Sequence, residues 1–224
     1  MTASFFTIRG RPIMPRDWGD YGDILQHGMT ARLPRLGGRL ALERTGPYIP
    51  PITLPGIGDI VLTSAARGLL EDSELSGFSF VPVENTLIVE LHWEAWNLDT
   101  DEPPEFPDSG EPEDYVLGKP HSPTAAEALG SLWEVAIPNT ATIIRSQPTV
   151  TSYKELKLDP NSWNGADLFR SEGYRGALFS ERARDWFTEH WGMYVRFEEF
   201  PTAELTKSGD SRSRPLSTPP TIKR

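Results

Sequence analysis

The strongest constraint on the fold is a pattern that recurs at a constant offset of 117 residues. GDIVLTSAARGLLEDSELSGFSFVPV (58–83) and RGALFSERARDWFTEHWGMYVRFEEF (175–200) align without a gap. Ile60, Val61 and Leu62, like Ala177, Leu178 and Phe179, make a short apolar run suited to a buried strand. Thr63 and Ser180 follow at the N-cap position, where a side-chain oxygen serves a free backbone N–H of the first helical turn. Ala66, Leu69 and Leu70 then match Ala183, Trp186 and Phe187 on one helical face. Phe78 and Phe80 match Val195 and Phe197, two apart on one face of a strand. Identity is confined to Ala66/Ala183, Arg67/Arg184 and Phe80/Phe197, so the pattern predicts a recurring strand-helix-strand architecture rather than a recent duplication.

The segments around these units read mostly as strands. ENTLIVELHWEAW, 84–96, alternates, with Leu87, Val89, Leu91 and Trp93 on one face and Ile88, Glu90, His92 and Glu94 on the other, which predicts an antiparallel strand with one wet side. LWEVAIP around Trp133, FFTIRG near the N-terminus and RLALERT add three more strands. AAEAL, 125–129, is expected to be a short helix begun by Ser122 and Pro123, and NGADLFRSEG, 164–173, another ended by Gly173. The sum is an α+β fold, mostly antiparallel sheet with a few short helices. Apolar residues recur from Phe5 to Phe200, which predicts a single domain over 1–201. The Ser-, Thr- and Pro-rich stretch 202–224, carrying a net charge of +3, is expected to be a disordered tail.

Charge and residue usage exclude several chemistries. A net charge of −10 opposes binding to nucleic acid through its phosphates and favours a basic partner. The absence of cysteine excludes disulfides, thiolate nucleophiles, Cys-ligated zinc and iron–sulfur clusters. MTASFFTIRGRPIM does not read as a signal peptide and no apolar run approaches the ~20 residues of a membrane span, so a cytoplasmic protein without a membrane segment is expected. No G-x-S-x-G elbow, P-loop or H-E-x-x-H occurs, and GIGDIV reads as a turn over Pro55–Gly58. No cofactor is implied.

Two groups of residues carry chemistry. Glu90, His92 and Glu94 share a face, a spacing that would hold a divalent metal for a small hydrolase or simply line a solvated sheet, and His121 stands near Asp114 in the same two senses. His190 continues the apolar side of its helix and is expected to be partly buried. Trp93, Trp133, Trp186 and Trp191 read as core residues, whereas Trp18 has no such explanation. The second group is DTDEPPEFPDSGEPED, 99–114, with eight carboxylates and no cation: Asp99, Asp101, Glu102, Glu105, Asp108, Glu111, Glu113 and Asp114. Its spacing is not that of an EF-hand, its prolines stiffen it, and Phe106, Tyr115, Val116 and Leu117 supply apolar anchors. A loop of this length within a domain is a binding element, a solvated excursion or a metal loop; as a binding element it runs from Asp99 to Tyr115.

At the paired stretches VLTSAARGLLEDSELSGFSFVPV and LFSERARDWFTEHWGMYVRFEEF the chain resembles the immunity proteins of bacterial polymorphic toxin systems. Several of those families carry a short strand ending in Ser or Thr, a helix, and a Gly-aromatic-x-Phe strand, here Gly77, Phe78 and Phe80. GEPEDYVLG and the final RFEEF are also similar to the group bearing a double CXXCG zinc motif, but without cysteines the zinc site does not carry over. The resemblance implies no catalytic residues and tight binding of a cognate toxin, often over its active site. An acidic inhibitor facing a basic toxin gains fast, salt-sensitive association. A scaffold or interaction module would present the same features.

Overall fold

The computed structural model describes residues 3–10, 25–26, 35–44, 49–56, 58–90, 95–97, 100, 114, 116–145 and 155–204. The first half contains β1 (Phe5–Gly10), β2 (Leu25–Gln26), β3 (Arg35–Leu36), β4 (Arg39–Arg44), β5 (Ile52–Thr53), β6 (Val61–Thr63), α1 (Ser64–Glu71), β7 (Ser79–Pro82) and β8 (Glu84–Leu87). The second contains α2 (Pro123–Leu129), β9 (Leu132–Ala136), β10 (Asn139–Arg145), β11 (Leu156–Leu158), β12 (Leu168–Glu172), β13 (Tyr174–Ser180), α3 (Glu181–Trp191) and β14 (Val195–Phe200). Among the described residues three sheets form, ordered β11-β10-β12-β13-β1-β14, β5-β6-β9-β7, and β2-β4-β3 with β8 beside β4. Only β10–β12 and β4–β8 pair in parallel among these strands, so the architecture is α+β and mostly antiparallel.

The recurring pattern is a recurring structure. β6 runs into α1 with Thr63 as N-cap, its hydroxyl accepting from the Ala66 N–H at 3.3 Å; β13 runs into α3 with Ser180 accepting from the Ala183 N–H at 3.2 Å. Each helix returns to a strand of its own sheet, but a third strand stands between the two. β9 separates β6 from β7, and β1 separates β13 from β14, antiparallel to both neighbours in each case. The registers agree residue by residue. Leu62 and Pro82 both stand opposite Trp133, and their counterparts Phe179 and Glu199 both stand opposite Phe6. Phe80 opposes Val135 as Phe197 opposes Ile8. The two identical arginines are used in the same way, Arg67 lying 4.0 Å over the Trp133 ring and Arg184 4.2 Å over the Phe6 ring. Each contact contributes about 0.5–1 kcal/mol and covers the aromatic of the central strand.

Side-chain alternation then builds the packing. Leu62 and Val135 from one sheet, with Phe6, Ile8 and Phe179 from the other, enter a shared core that also takes Ala66 and Leu70 of α1 and Ala183, Phe187 and Trp191 of α3. The opposite sheet faces are closed separately. Val61 and Leu132 pack with Leu40, Leu42, Ile88 and Leu129, while Phe5, Leu178 and Phe200 pack with Phe169, Leu156 and Leu158. Positions filled by Leu62 and Leu70 in the first unit hold Phe179 and Phe187 in the second, whose rings meet edge to face at 5.1 Å. Volume is redistributed between the units while the frame is kept.

Several expectations are corrected. The segment 164–173 is no helix: Leu168–Glu172 is strand β12, which turns at Gly173 into β13. Leu168, Phe169 and Ser171 are buried on both faces of the sheet, and that two-sided burial overrides the helical spacing. The alternating stretch 84–96 is a strand only over Glu84–Leu87 among the described residues, and it pairs in parallel with β4. Its ladder stops because both backbone groups of Ile88 are taken elsewhere, the N–H by His121 Nδ1 and the C=O by the Ser122 N–H. Leu69, placed on the buried face of its helix, is 43% exposed, since eight residues bury only the Ala66–Leu70 stripe. His190 is exposed and stacks on Trp186 at 4.1 Å. Of the stretch 202–224, Thr202 and Ala203 pair with Leu158, and residues from 205 onward lie outside the described residues. No helix among the described residues is long and apolar enough to cross a membrane.

Candidate functional site

The acidic stretch springs from a fixed base. The chain runs through Val89 before it and returns at Val116 after it, and the two valines, 2% and 0% exposed, form one cluster against Leu87 and Trp96. Burying each valine stabilises the base by about 1.5 kcal/mol or more. Beside them the Ile88 N–H donates to His121 Nδ1 at 3.1 Å, and the Ser122 N–H donates to the Ile88 carbonyl at 2.7 Å. The imidazole therefore accepts at Nδ1 and carries its proton on Nε2. Ser122 then caps α2, accepting from the Ala125 N–H at 3.2 Å, so the returning limb is locked to a helix. Val116→Ala removes two methyl groups from this base and is expected to speed amide exchange at Ile88 about tenfold while the core amides of β13 keep their rates.

Of the residues assigned to the acidic element, Asp114 is half-buried, two positions before Val116. Asp99, Asp101, Glu102, Glu105, Asp108, Glu111, Glu113 and Tyr115 lie outside the described residues, as do Trp18, Trp93, His92 and Glu94. Glu90 is exposed. Among the described residues no three His, Asp or Glu side chains come close enough together to hold a metal ion. Of the two readings of His121, carboxylate partner or exposed turn residue, the structure has the second: it is exposed and accepts from the Ile88 N–H.

Two charged constellations emerge that the sequence did not single out. Asp167, 4% exposed, is ringed by donors: the N–H and hydroxyl of Ser76 at 2.9 Å each, the Ser180 hydroxyl at 2.9 Å, and Arg182 at 3.0 and 2.5 Å. Burial alone would raise its pKa, but the bonds from Arg182, Ser180 and Ser76 outweigh it and hold the carboxyl down at about 2. The second constellation joins β3, β9 and the turn before β6. Arg35 grips Glu134 with both guanidinium nitrogens, at 2.9 and 2.6 Å, and reaches Asp59 at 3.3 Å. The Glu134 hydrogen bond raises the Arg35 pKa above its ordinary value. Arg170 lies 3.8 Å from the same Asp59 oxygen and donates to two backbone carbonyls, Arg175 at 2.8 Å and Gly58 at 2.7 Å. No local signal marks these groups, because Arg35 and Glu134 stand 99 residues apart and Ser76 and Asp167 stand 91 apart.

Neither a scan against protein-family models nor a search of the curated proteins finds a match to this chain.

Proposed function

We propose that this is a non-catalytic binding protein of the immunity type, whose acidic stretch meets a basic toxin domain and neutralises it by occlusion. The observation that carries this reading is the pinned base. The eight carboxylates of 99–114 lie in sequence between Val89 and Val116, which pack together in one buried cluster, so the two limbs that carry them are tied at one place. Concentrated like charge costs self-repulsion in the free protein, and a cationic partner relieves it. The resemblance of the paired strand-helix-strand units to immunity families, and the chain's net charge of −10, support the same reading. A cytoplasmic setting follows as part of it.

The test is capture of a basic partner by the intact protein and by a variant with the carboxylates of 99–114 changed to Asn and Gln. The expected result is one stoichiometric partner whose expression arrests bacterial growth, and whose arrest the intact protein relieves. The variant is expected to associate about 10- to 1,000-fold more slowly at low salt and to lose most of its salt dependence. A partner bound equally well by the variant, with unchanged salt dependence, removes the acidic stretch from the reading. A partner without toxicity leaves an interaction module and removes the immunity assignment.

A further inference from the structure

Four arginines converge on one cleft of about 680 Å³: Arg35 of β3, Arg145 of β10, Arg170 of β12 and Arg175 of β13. Asp59 and Glu172 are the carboxylates lining it. Among the described residues, and counting Glu134 behind Arg35, four guanidinium groups meet three carboxylates, an excess of positive charge in a chain whose net charge is −10. The excess is not spread evenly. Arg170, its side chain 18% exposed, is held by two neutral carbonyls, and its nearest carboxylate oxygen, on Asp59, is shared with Arg35. Arg175 is exposed and makes no ion pair or hydrogen bond through its side chain among the described residues.

A second cleft of about 530 Å³ adjoins the first, sharing Asp59, Gly173, Tyr174 and Arg175 with it. Its walls are different in kind. Ile8, Leu54, Leu156 and Tyr174 give it apolar surface, and Gly58 and Gly176 let its walls pack closely, a Cβ at Gly58 standing 2.3 Å from the Arg175 carbonyl oxygen. At Gly176 the space a side chain would fill holds the Tyr174 ring, 2.7 Å from the Cβ position, with the Tyr174 hydroxyl fixed to Thr7 at 2.7 Å.

We propose that the two clefts together bind a small phosphate ester, its phosphate between Arg170 and Arg175 and its apolar body against Leu54 and Tyr174. Guanidinium forks match phosphate oxygens bidentately, and a half-buried arginine already oriented by carbonyls loses little freedom on binding. A concave apolar wall with a few convergent polar groups is the usual form of a small-molecule site. None of the described residues of the acidic stretch lines either cleft, so the site stands or falls apart from the immunity reading.

Titration calorimetry at constant ionic strength with inorganic phosphate, phenyl phosphate and benzoate tests it on the full chain. One saturable site is expected, with phenyl phosphate about tenfold tighter than inorganic phosphate and tighter than benzoate. Arg175→Gln, an exposed change that leaves the fold alone, is expected to weaken both phosphates about tenfold. Leu54→Ala is expected to erase the advantage of phenyl phosphate alone, and Arg184→Gln, outside the cleft, to change nothing. No saturable binding, or equal binding by Arg175→Gln, overturns the site; benzoate as the tightest probe overturns its assignment to phosphate.

Discussion

Asp167→Ala is expected to destabilise the protein by about 3 kcal/mol, the largest loss from removing any one polar group among the described residues. The carboxylate accepts from Ser76, which follows α1 in the first unit, and from Ser180 and Arg182, which open α3 in the second. Ser180 is committed on both sides, donating to Asp167 and accepting from the Ala183 N–H. Truncation therefore leaves the Ser76 N–H and the Ser180 hydroxyl without their acceptor and slackens the cap of α3. Asp167→Asn keeps the shape, loses the charge and is expected to cost about 1–2 kcal/mol.

The pH dependence has a definite sign. The folded pKa of about 2 lies below the ordinary value of 3.8, so the group contributes stability that is fully present above pH ~4 and is lost as pH falls through 2. The shift corresponds to at most about 2.5 kcal/mol. Because the Arg182 side chain is 58% exposed, solvent screening reduces this to about 1–2 kcal/mol. Urea unfolding of wild type and Asp167→Asn at neutral pH and at a pH near the folded pKa is the measurement: the gap between them is expected to close at the lower pH. A gap that persists unchanged in acid means the charge of Asp167 is not what stabilises this junction.

Gly77→Ala is expected to cost about 3 kcal/mol or more and to lower Tm by roughly 6–12 °C. Two causes act together. Gly77 has φ +92°, a conformation side chains rarely adopt, and a Cβ there would stand 2.0 Å from the Leu168 carbonyl oxygen and 2.8 Å from Ala166 Cβ. The carbonyl belongs to a fully buried residue whose N–H is bonded to the Ser76 carbonyl at 3.0 Å, so the obstacle is backbone and does not swing aside. Gly118→Ala separates the causes, because Gly118 also has positive φ, +73°, with nothing within 4 Å of its Cβ position. It is expected to cost about 1 kcal/mol by thermal unfolding. Equal losses at the two glycines would show that dihedral strain, not the approach to β12, sets the requirement at Gly77.

Local signals in the sequence suffice wherever a residue acts on its near neighbours. Thr63, Ser180 and Ser122 serve as caps through N–H groups three residues on, and β1, β4 and β9 are apolar runs that their own burial explains. Beyond that range the signal fades. FFTIR and LWEVA occupy equivalent places, yet β1 precedes its unit by most of the chain and β9 follows its unit, so no constant offset relates them. The segment 164–173 has a helix-like spacing, and only the cores on both sides of it make it a strand. The acidic stretch is legible as composition and Val116 as one of its apolar anchors, while the pairing of Val116 with Val89 is not, because the two valines meet only when the chain brings them together. The arginine cleft draws on four strands, and each arginine alone reads as a surface residue.

The position of β1 between β13 and β14 bears on the order in which the chain is assembled during synthesis. The strands of the first unit are complete once β9 has emerged, and its central strand arrives last, into a place already flanked. In the second unit the sequence of events is reversed: β1 is the earliest of all these strands to be made, and its two neighbours are the latest. Phe5, Phe6 and Ile8 therefore leave the ribosome with no partners and wait for nearly the whole chain before Phe179 and Phe197 close over them. Closing so long a loop adds little to the final stability but slows the step that completes the fold.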